Sequence, residues 1–341
     1  MAADIHAIAG EILATLGTGR QLSPFTSRPA GLTLEDGYRV SAILNRLREA
    51  RGEKRLGRKI GFTNRTIWEE YKVYAPMLGY VYDRSVHELS NTASLPLAQF
   101  AEPRIEPEIV FGLGCAPAAD MDETALMSCV DWVAHGFEIV QSIFPHWQFS
   151  AADTVAANGL HGALLIARRH EIGPRAAKWQ KALSGFEIDL LCEGRVVDHG
   201  HAANVLDGPL SALRHLVGLL ARDANHPPLA AGEIVTTGTL TRAMPVKSGE
   251  TWSTALRHCT GANPVGIRVN LTALSLQHAD YAEILVDIGP MNAHRHDLIV
   301  GALLRRGRLQ SWIPVERSRD SAAIGKRDHK LTFRNLHRPR V

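Results

Sequence analysis

Cysteine is scarce in this chain of 341 residues: Cys115, Cys129, Cys192 and Cys259 are the whole complement. None has a neighbour at the short spacing of a zinc site, and four in so long a chain exclude a disulfide scaffold. Free, buried thiols in a reducing cytoplasm are the expectation. No apolar run approaches the roughly 20 residues that a membrane-spanning helix needs. The first twenty residues lack a basic start, an apolar block and a cleavage site, so no secretory signal is expected. A patterned basic–aromatic module is missing too, which argues against nucleic acid as a partner. The net charge of +3 is uneven. Residues 291–341 hold 12 Lys+Arg against 4 Asp+Glu, leaving 26 against 31 before them. The basic excess belongs to the tail, and 271–341 is expected to be a basic, poorly packed or disordered extension.

What is present centres on Arg104-Ile105-Glu106-Pro107-Glu108-Ile109-Val110-Phe111. Read as a strand, period two sends Ile105, Ile109 and Phe111 to one face and Glu106, Glu108 and Val110 to the other. Two carboxylates then share a face, roughly 6.5–7 Å apart at the backbone. Bare anions so close repel unless one stays protonated or a cation lies between them. A hard divalent ion such as Mg²⁺ or Mn²⁺ resolves the conflict, because it prefers oxygen ligands. A solvated strand face is the other reading. Phe137-Glu138-Ile139-Val140 adds a third acid among apolar neighbours, and a buried Glu requires a partner.

Around this centre the chain reads as short strands with intervening helices, an α+β pattern rather than a regular βαβ array. Residues 4–16 carry Ile5, Ile8, Ile12 and Leu16 on one helical stripe. Thr33 and Asp36 resemble a capping box before Val40, Ile43, Leu44 and Leu47 at helical spacing. Lys59, next to Arg58 and flanked by Ile60 and Phe62, lies on a short strand that enters a turn at Thr63. Partial burial beside other cations would lower its pKa and let it exchange protons near neutrality; a surface lysine on an edge strand is the alternative. Residues 75–79 read as a turn. Asp122 or Thr124 starts a helix reaching His135-Gly136, with Leu126, Val130 and Val133 inward. Residues 141–170 read as irregular and polar-aromatic, where binding groups often sit. Phe186, Ile188 and Leu190 turn at Glu193-Gly194 and return through Val196-Val197 as a hairpin. Pro209 opens a helix with Leu210, Leu213, Val217 and Leu220 inward. Residues 232–238 form a buried strand ending in a tight turn, and 265–269 the last strand of the body.

Lys59-Ile60-Gly61, Ile105-Glu106-Pro107-Glu108-Ile109, Phe137-Glu138-Ile139-Val140, Asp207-Gly208-Pro209-Leu210 and Ala231-Gly232-Glu233-Ile234-Val235-Thr236-Thr237-Gly238 occur in this order. Together they resemble the 2-keto-4-pentenoate hydratase / 2-oxo-3-hexenedioate decarboxylase family, a branch of the fumarylacetoacetase-like superfamily, over about residues 5–270. The resemblance implies an N-terminal helical part (1–55), a mixed β-roll domain (56–270) and a homo-oligomer. It implies Mg²⁺ or Mn²⁺ on Glu106, Glu108 and Glu138, a 2-keto acid or its dienol as substrate, and Lys59 as the proton-transfer group. Thr63, Asn158, Thr237 and Gly238 are the expected substrate contacts.

Departures from the family pattern fall on the substrate side. Met77 stands where an acid is frequent, Ala156-Ala157-Asn158-Gly159-Leu160 replaces an Ala-Asp-Asn-Ala-Ser run, and Ile143 takes an arginine's place. His161, or else His201, is the candidate replacement proton donor, since histidine titrates near neutrality. The expected activity is a lyase of the hydratase type. The alternatives are a 2-oxo-3-hexenedioate-type decarboxylase, an acylpyruvate carbon–carbon hydrolase with His161 activating water, and a non-catalytic metal-binding homologue.

Overall fold

Side-chain caps start both N-terminal helices. Asp4 accepts hydrogen bonds from the His6 and Ala7 N–H groups at the head of α1 (Ile5–Thr15). Thr33 accepts from Asp36 N–H at the head of α2 (Leu34–Ala50) and donates its hydroxyl to the Asp36 carboxylate. Such caps satisfy donors that a helix start leaves free. Ile8 and Ile12 of α1 then pack with Val40, Ile43 and Leu44 of α2 in one apolar cluster. The computed structural model describes residues 3–89, 94–257 and 268–272, with the strands Leu285–Asp287, Ile299–Leu303 and Ile313–Pro314.

The strands that follow are β1 (Arg55–Gly61), β2 (Met77–Tyr82), β3 (Val86–Glu88), β4 (Ser94–Pro96), β5 (Arg104–Leu113), β6 (Val130–Val140) and β7 (His161–Ile166). After them come β8 (His170–Glu171), β9 (Glu187–Cys192), β10 (Arg195–His201), β11 (Ile234–Thr236), β12 (Met244–Pro245), β13 (Thr251–Arg257) and β14 (Arg268–Thr272). A mixed sheet runs β2-β1-β11-β5-β6-β7-β3, with β12 added on β5 and β8 on β6; a second runs β10-β9-β13-β14-β4. Helices α3 (Trp68–Tyr71), α4 (Glu123–Ser128), α5 (Ala151–Ala156), α6 (Ala176–Leu183) and α7 (Pro209–Leu220) lie between strands in the chain. This is the mixed α+β architecture expected from the sequence.

Strand β5 organises both the core and the polar interior. Its Ile109 and Phe111 pack with Leu213 and Leu216 of α7, while Ile105 packs with Phe137, Leu190 and Trp252. Val110, on the other face, joins Val81, Ala134 and Leu164. A fully buried side chain such as Phe111 contributes on the order of 1.5–3 kcal/mol. The α7 reading also holds: Pro209 sits in the first turn and Leu210, Leu213, Val217 and Leu220 are buried. The β9–β10 hairpin turns through Glu193 and Gly194, both at positive φ, the geometry that two-residue hairpin loops favour.

Several readings fail, and the reasons are physical. The helix begun by Asp122 ends at Ser128, and Val130–Val140 is strand β6, paired with β5 from Leu113 to Arg104. Leu126, Val130 and Val133 satisfy a helical spacing, but a long partner strand outweighs local periodicity. Residues 141–170 are more regular than expected, since they contain α5 and β7. The turn read at 75–79 gives way to β2 from Met77 onward. The last strand of the larger unit begins at Arg268, and 265–267 lie outside the described residues. Cys115 is exposed rather than buried, and its Sγ lies 2.6 Å from that of buried Cys129; Cys259 lies outside the described residues.

The chain divides into two units, residues 1–275 and 276–341. The second contains Leu285–Asp287, Ile299–Leu303 and Ile313–Pro314 as a small antiparallel sheet. The rest of the expected basic extension lies outside the described residues. Among the described residues no helix is long and apolar enough to cross a membrane.

Candidate active site

Alternation along two paired strands brings the acids together. Glu106 stands directly across from Glu138 in the β5–β6 ladder, and Glu108 across from Gly136. The three side chains offer carboxylate oxygens that all lie within 4.8 Å of one another. Lys59 reaches the same place from β1, two strands away, where its Nζ lies 3.0 Å from Glu138 Oε2. Both partners are almost completely buried, at 3% and 0% side-chain exposure. Gly79 pairs with Lys59 across β1–β2 and makes room for it. A Cβ at Gly79 would meet Lys59 Cγ at 2.9 Å and the Asn158 carbonyl at 2.5 Å.

Burial and mutual repulsion set the protonation of this cluster. Burial, with the charges of Glu138 and Glu106, holds Glu108 well above the ordinary carboxylate range. Glu106 is pushed up to about 7 by burial, against the attraction of Lys59 and with the Glu138 charge adding to the rise. Burial opposes ionisation of Glu138 as well. The Lys59 ammonium and a hydrogen bond from His161 outweigh it and hold Glu138 at about 2. For Lys59 burial acts downward, but Glu138, Glu106 and Glu108 raise it above its ordinary value. This reverses the expected depression. Arg58, the cation beside it in sequence, points to the other face of the strand, so its charge does not oppose that of Lys59.

The donor set fits a hard divalent cation. Lys59 balances one of the three carboxyls, burial and repulsion oppose ionisation of the other two, and Glu108 Oε1 is buried without a hydrogen-bond partner, so a divalent cation would let all three ionise. Oxygen-only donors of this kind match Mg²⁺ or Mn²⁺ rather than a thiolate-seeking metal. The other Glu108 oxygen is held by the Gly238 N–H at 2.9 Å. Gly238 adopts φ +91, and a Cβ there would lie 1.8 Å from Thr63 Oγ1, so glycine is required at this turn.

The remaining candidates divide between cavity and scaffold. Lys59, Thr63, Glu106 and Gly238 line a cavity that opens to solvent. Thr63 Oγ1 is buried with no hydrogen-bond partner. Thr237 donates its hydroxyl and its backbone N–H to the Ile109 carbonyl. Asn158 clamps Tyr80, accepting from its N–H at 2.7 Å and donating to its carbonyl at 2.9 Å, so both side-chain polar atoms are engaged within the protein. His161 stands behind Glu138, with Nδ1 2.7 Å from Glu138 Oε1 and Nε2 2.8 Å from Ser85 Oγ. Burial lowers its pKa more than Glu138 raises it, so the neutral ring donates from Nδ1 to the carboxylate. His201, the alternative donor, is exposed on β10. Met77 is buried beside Val73 and Val155.

Some contributors had no signal in the sequence. Ser85 backs His161 from a turn. His135 holds the Glu108 carbonyl at 2.8 Å through Nδ1 and meets Thr254 Oγ1 at 2.9 Å through Nε2; burial keeps it neutral, at about 4. Tyr71 and Trp147 also line the cavity. Trp147 falls in the polar-aromatic stretch that the sequence marked out, whereas Tyr71 lay in none.

The 4-oxalocrotonate decarboxylase of Pseudomonas putida, solved with magnesium and adipate, superposes with a TM-score of 0.69 at 23% identity, over 78% of this chain and 97% of that one. No protein-family model matches the chain. The 2-hydroxyhexa-2,4-dienoate hydratase of Comamonas testosteroni is 31% identical over 238 residues, 69% of this chain and 87% of the relative. The 2-keto-4-pentenoate hydratase of Paraburkholderia xenovorans is 28% identical over 247 residues, 71% of this chain and 87% of the relative. The chain belongs to the 2-keto-4-pentenoate hydratase / 2-oxo-3-hexenedioate decarboxylase family, a family of lyases.

Proposed function

We propose that this protein hydrates a 2-hydroxy-2,4-dienoate, the enol form of a 2-keto acid, to a 4-hydroxy-2-keto acid, with Mg²⁺ or Mn²⁺ held by Glu106, Glu108 and Glu138. The observation that carries the reading is the convergence of those carboxylates with the Lys59 ammonium at one cavity. When bound, the cation supplies Lewis-acid stabilisation of negative charge on the 2-oxo carboxylate end of the substrate. Lys59 holds a proton beside that end and carries it between the enol oxygen and the far carbon of the diene. The enol O–H is lost and C5 gains hydrogen, giving a 2-oxo-3-ene. Water then adds its hydroxyl to C4 and its proton to C3, so the net change is one water gained. Thr63, with its free hydroxyl, and the Gly238 turn border the same space and orient the substrate. Asn158 and Thr237 act through the backbone they brace. His161 acts as a positioning residue that fixes the Glu138 carboxylate. The site works in a cytoplasmic homo-oligomer.

Two observations favour hydration over the alternatives. Carbon–carbon hydrolysis would use His161 as a base facing water, and both its ring nitrogens are already engaged by Glu138 and Ser85. Decarboxylation of a hexenedioate calls for a cation at the remote carboxylate, and Ile143 is buried among apolar side chains. The test is incubation with Mg²⁺ and 2-hydroxypenta-2,4-dienoate, and separately with 2-oxo-3-hexenedioate, with products read by mass. One water gained by the dienoate is expected, and Lys59→Met should slow it about 10²–10⁴-fold. Loss of CO₂ from the hexenedioate with no hydration of the dienoate would overturn the reading.

A further inference from the structure

Where β5 hands over to β6, two of the chain's four cysteines come together. Leu113 pairs with Val130 at that end of the ladder, and the Gly114 N–H donates to the Cys129 carbonyl at 2.8 Å, so the two backbones stay close as the strands part. Cys115 and Cys129 are 14 positions apart in sequence, and their Sγ atoms lie 2.6 Å from one another. A disulfide needs cysteines whose backbones are already near and whose side chains converge. The ladder supplies the first condition and the sulfur contact the second. The acid cluster lies toward the other end of the same ladder, at the Glu106–Glu138 pair.

The two thiols differ in exposure and in reactivity. Cys115 is exposed and Cys129 buried. Burial, with the hydrogen bond between the two sulfurs, pushes the Cys129 thiol up to about 11, which keeps it protonated and a poor nucleophile at neutral pH. A dissolved oxidant therefore meets Cys115 first, with Cys129 waiting beside it. The connection is folded to keep them so. Met121 accepts the Ala118 N–H on its sulfur at 3.4 Å and lies 3.8 Å from Cys129 Sγ. Asp122 caps α4 by accepting the Ala125 N–H at 2.8 Å, and Leu126 and Met127 anchor that helix in the core with Leu213 and Leu216 of α7.

We propose that Cys115 and Cys129 form a modification site, which a peroxide oxidises to a disulfide stapling the β5–β6 connection and a dithiol reduces again. In the first step the peroxide O–O bond breaks at the Cys115 sulfur. One oxygen stays there as a sulfenic acid and the other leaves as water. The Cys129 sulfur then attacks Cys115. The S–S bond forms as the S–O bond breaks, and the hydroxyl departs with the Cys129 proton as a second water. Two thiols and one peroxide thus give one disulfide and two waters. Capture by Cys129 also keeps the exposed sulfur from irreversible oxidation to the sulfinic acid.

Mass analysis of the full chain tests this. Protein reduced with dithiothreitol, freed of it and treated with a slight excess of hydrogen peroxide is alkylated, then cut after glutamate without reduction, since Glu123 lies between the two cysteines. The expected product is a linked pair of peptides carrying Cys115 and Cys129, two hydrogens lighter than the free peptides together, which dithiothreitol separates. On a denaturing gel the oxidised chain should still run as a monomer. Its unfolding constant in urea should fall about 10²-fold, the scale for a closed loop of this length. In Cys129→Ser the same dose should carry Cys115 on to the sulfinic acid. Both thiols still open to alkylation, a link between chains, or wild-type Cys115 taken to the sulfinic acid beside a free Cys129 would each overturn the inference, whether or not the variant folds. An oxidised form no more stable than the reduced one would overturn the staple.

Discussion

Arg58 and Lys59 are consecutive on one strand, both cationic and both buried, yet they serve different ends. Arg58 is completely buried, lies 4.2 Å over the Tyr80 ring and pairs with the Glu233 carboxylate at 3.0 Å. One cation faces one close anion and a ring, and the Pro227 carbonyl takes a further N–H; Nε is buried without a partner, so what differs is the balance of charge and not the satisfaction of every atom. Lys59, on the opposite face, meets three carboxylates that repel one another and leave an oxygen of Glu108 without a partner. Burial of charge is therefore no guide to function by itself, because a buried pair costs desolvation wherever it sits. The imbalance distinguishes the two places. A structural site closes its charge within the protein, and a ligand site leaves charge for the ligand to close.

The strongest way to break this contrast is to reduce the imbalance. Glu108→Gln should abolish divalent-ion binding and hydration while leaving the protein folded, because it removes a carboxyl that burial and its acidic neighbours keep from ionising unless a cation is beside it. Titration of Mg²⁺ by calorimetry, with circular dichroism for the fold, checks this; unchanged affinity would remove Glu108 from the site. The same titration on the wild type should weaken as pH falls through about 7, where Glu106 takes up a proton that competes with the cation.

Arg58→Met should show the reverse pattern. Loss of one partner from a buried pair costs about 3 kcal/mol of stability, read as a lower urea midpoint, while Mg²⁺ affinity of the folded fraction stays within about twofold. A large loss of affinity would mean that the two faces of β1 are not independent. The smallest effect is expected at His161→Gln. A histidine that orients a metal-binding carboxylate is worth about 10–100-fold in affinity, so weakened Mg²⁺ binding with unchanged products is expected. An altered product, or a lost pH limb without a change in Mg²⁺ affinity, would instead give His161 a proton-transfer role.

The sequence displayed one half of this contrast clearly. Alternation on Ile105–Phe111 put Glu106 and Glu108 on one face, and Glu138 announced itself as an acid among apolar neighbours. The length of β6 was hidden because Leu126, Val130 and Val133 happen to fit a helix, and pairing with β5 is a tertiary fact. The protonation of Lys59 was misread for a related reason. Its sequence neighbour Arg58 suggested repulsion, while the three acids that dominate arrive from strands far along the chain. Asn158 and His161 were visible as polar residues, but whether such a group faces a cavity or braces a backbone depends on Tyr80 and Ser85. Tyr71 carried no pattern at all, since the wall it joins is assembled from separate segments.

The opposition of Glu106 and Glu138 has a consequence for how β5 and β6 align. Sliding β6 by one position would swing Glu138 into the company of Ile105, Leu190 and Trp252 and turn Phe137 toward Lys59. Both moves are unfavourable, so the acids act as an alignment key: mis-set pairings are penalised by the same groups proposed to hold the ion.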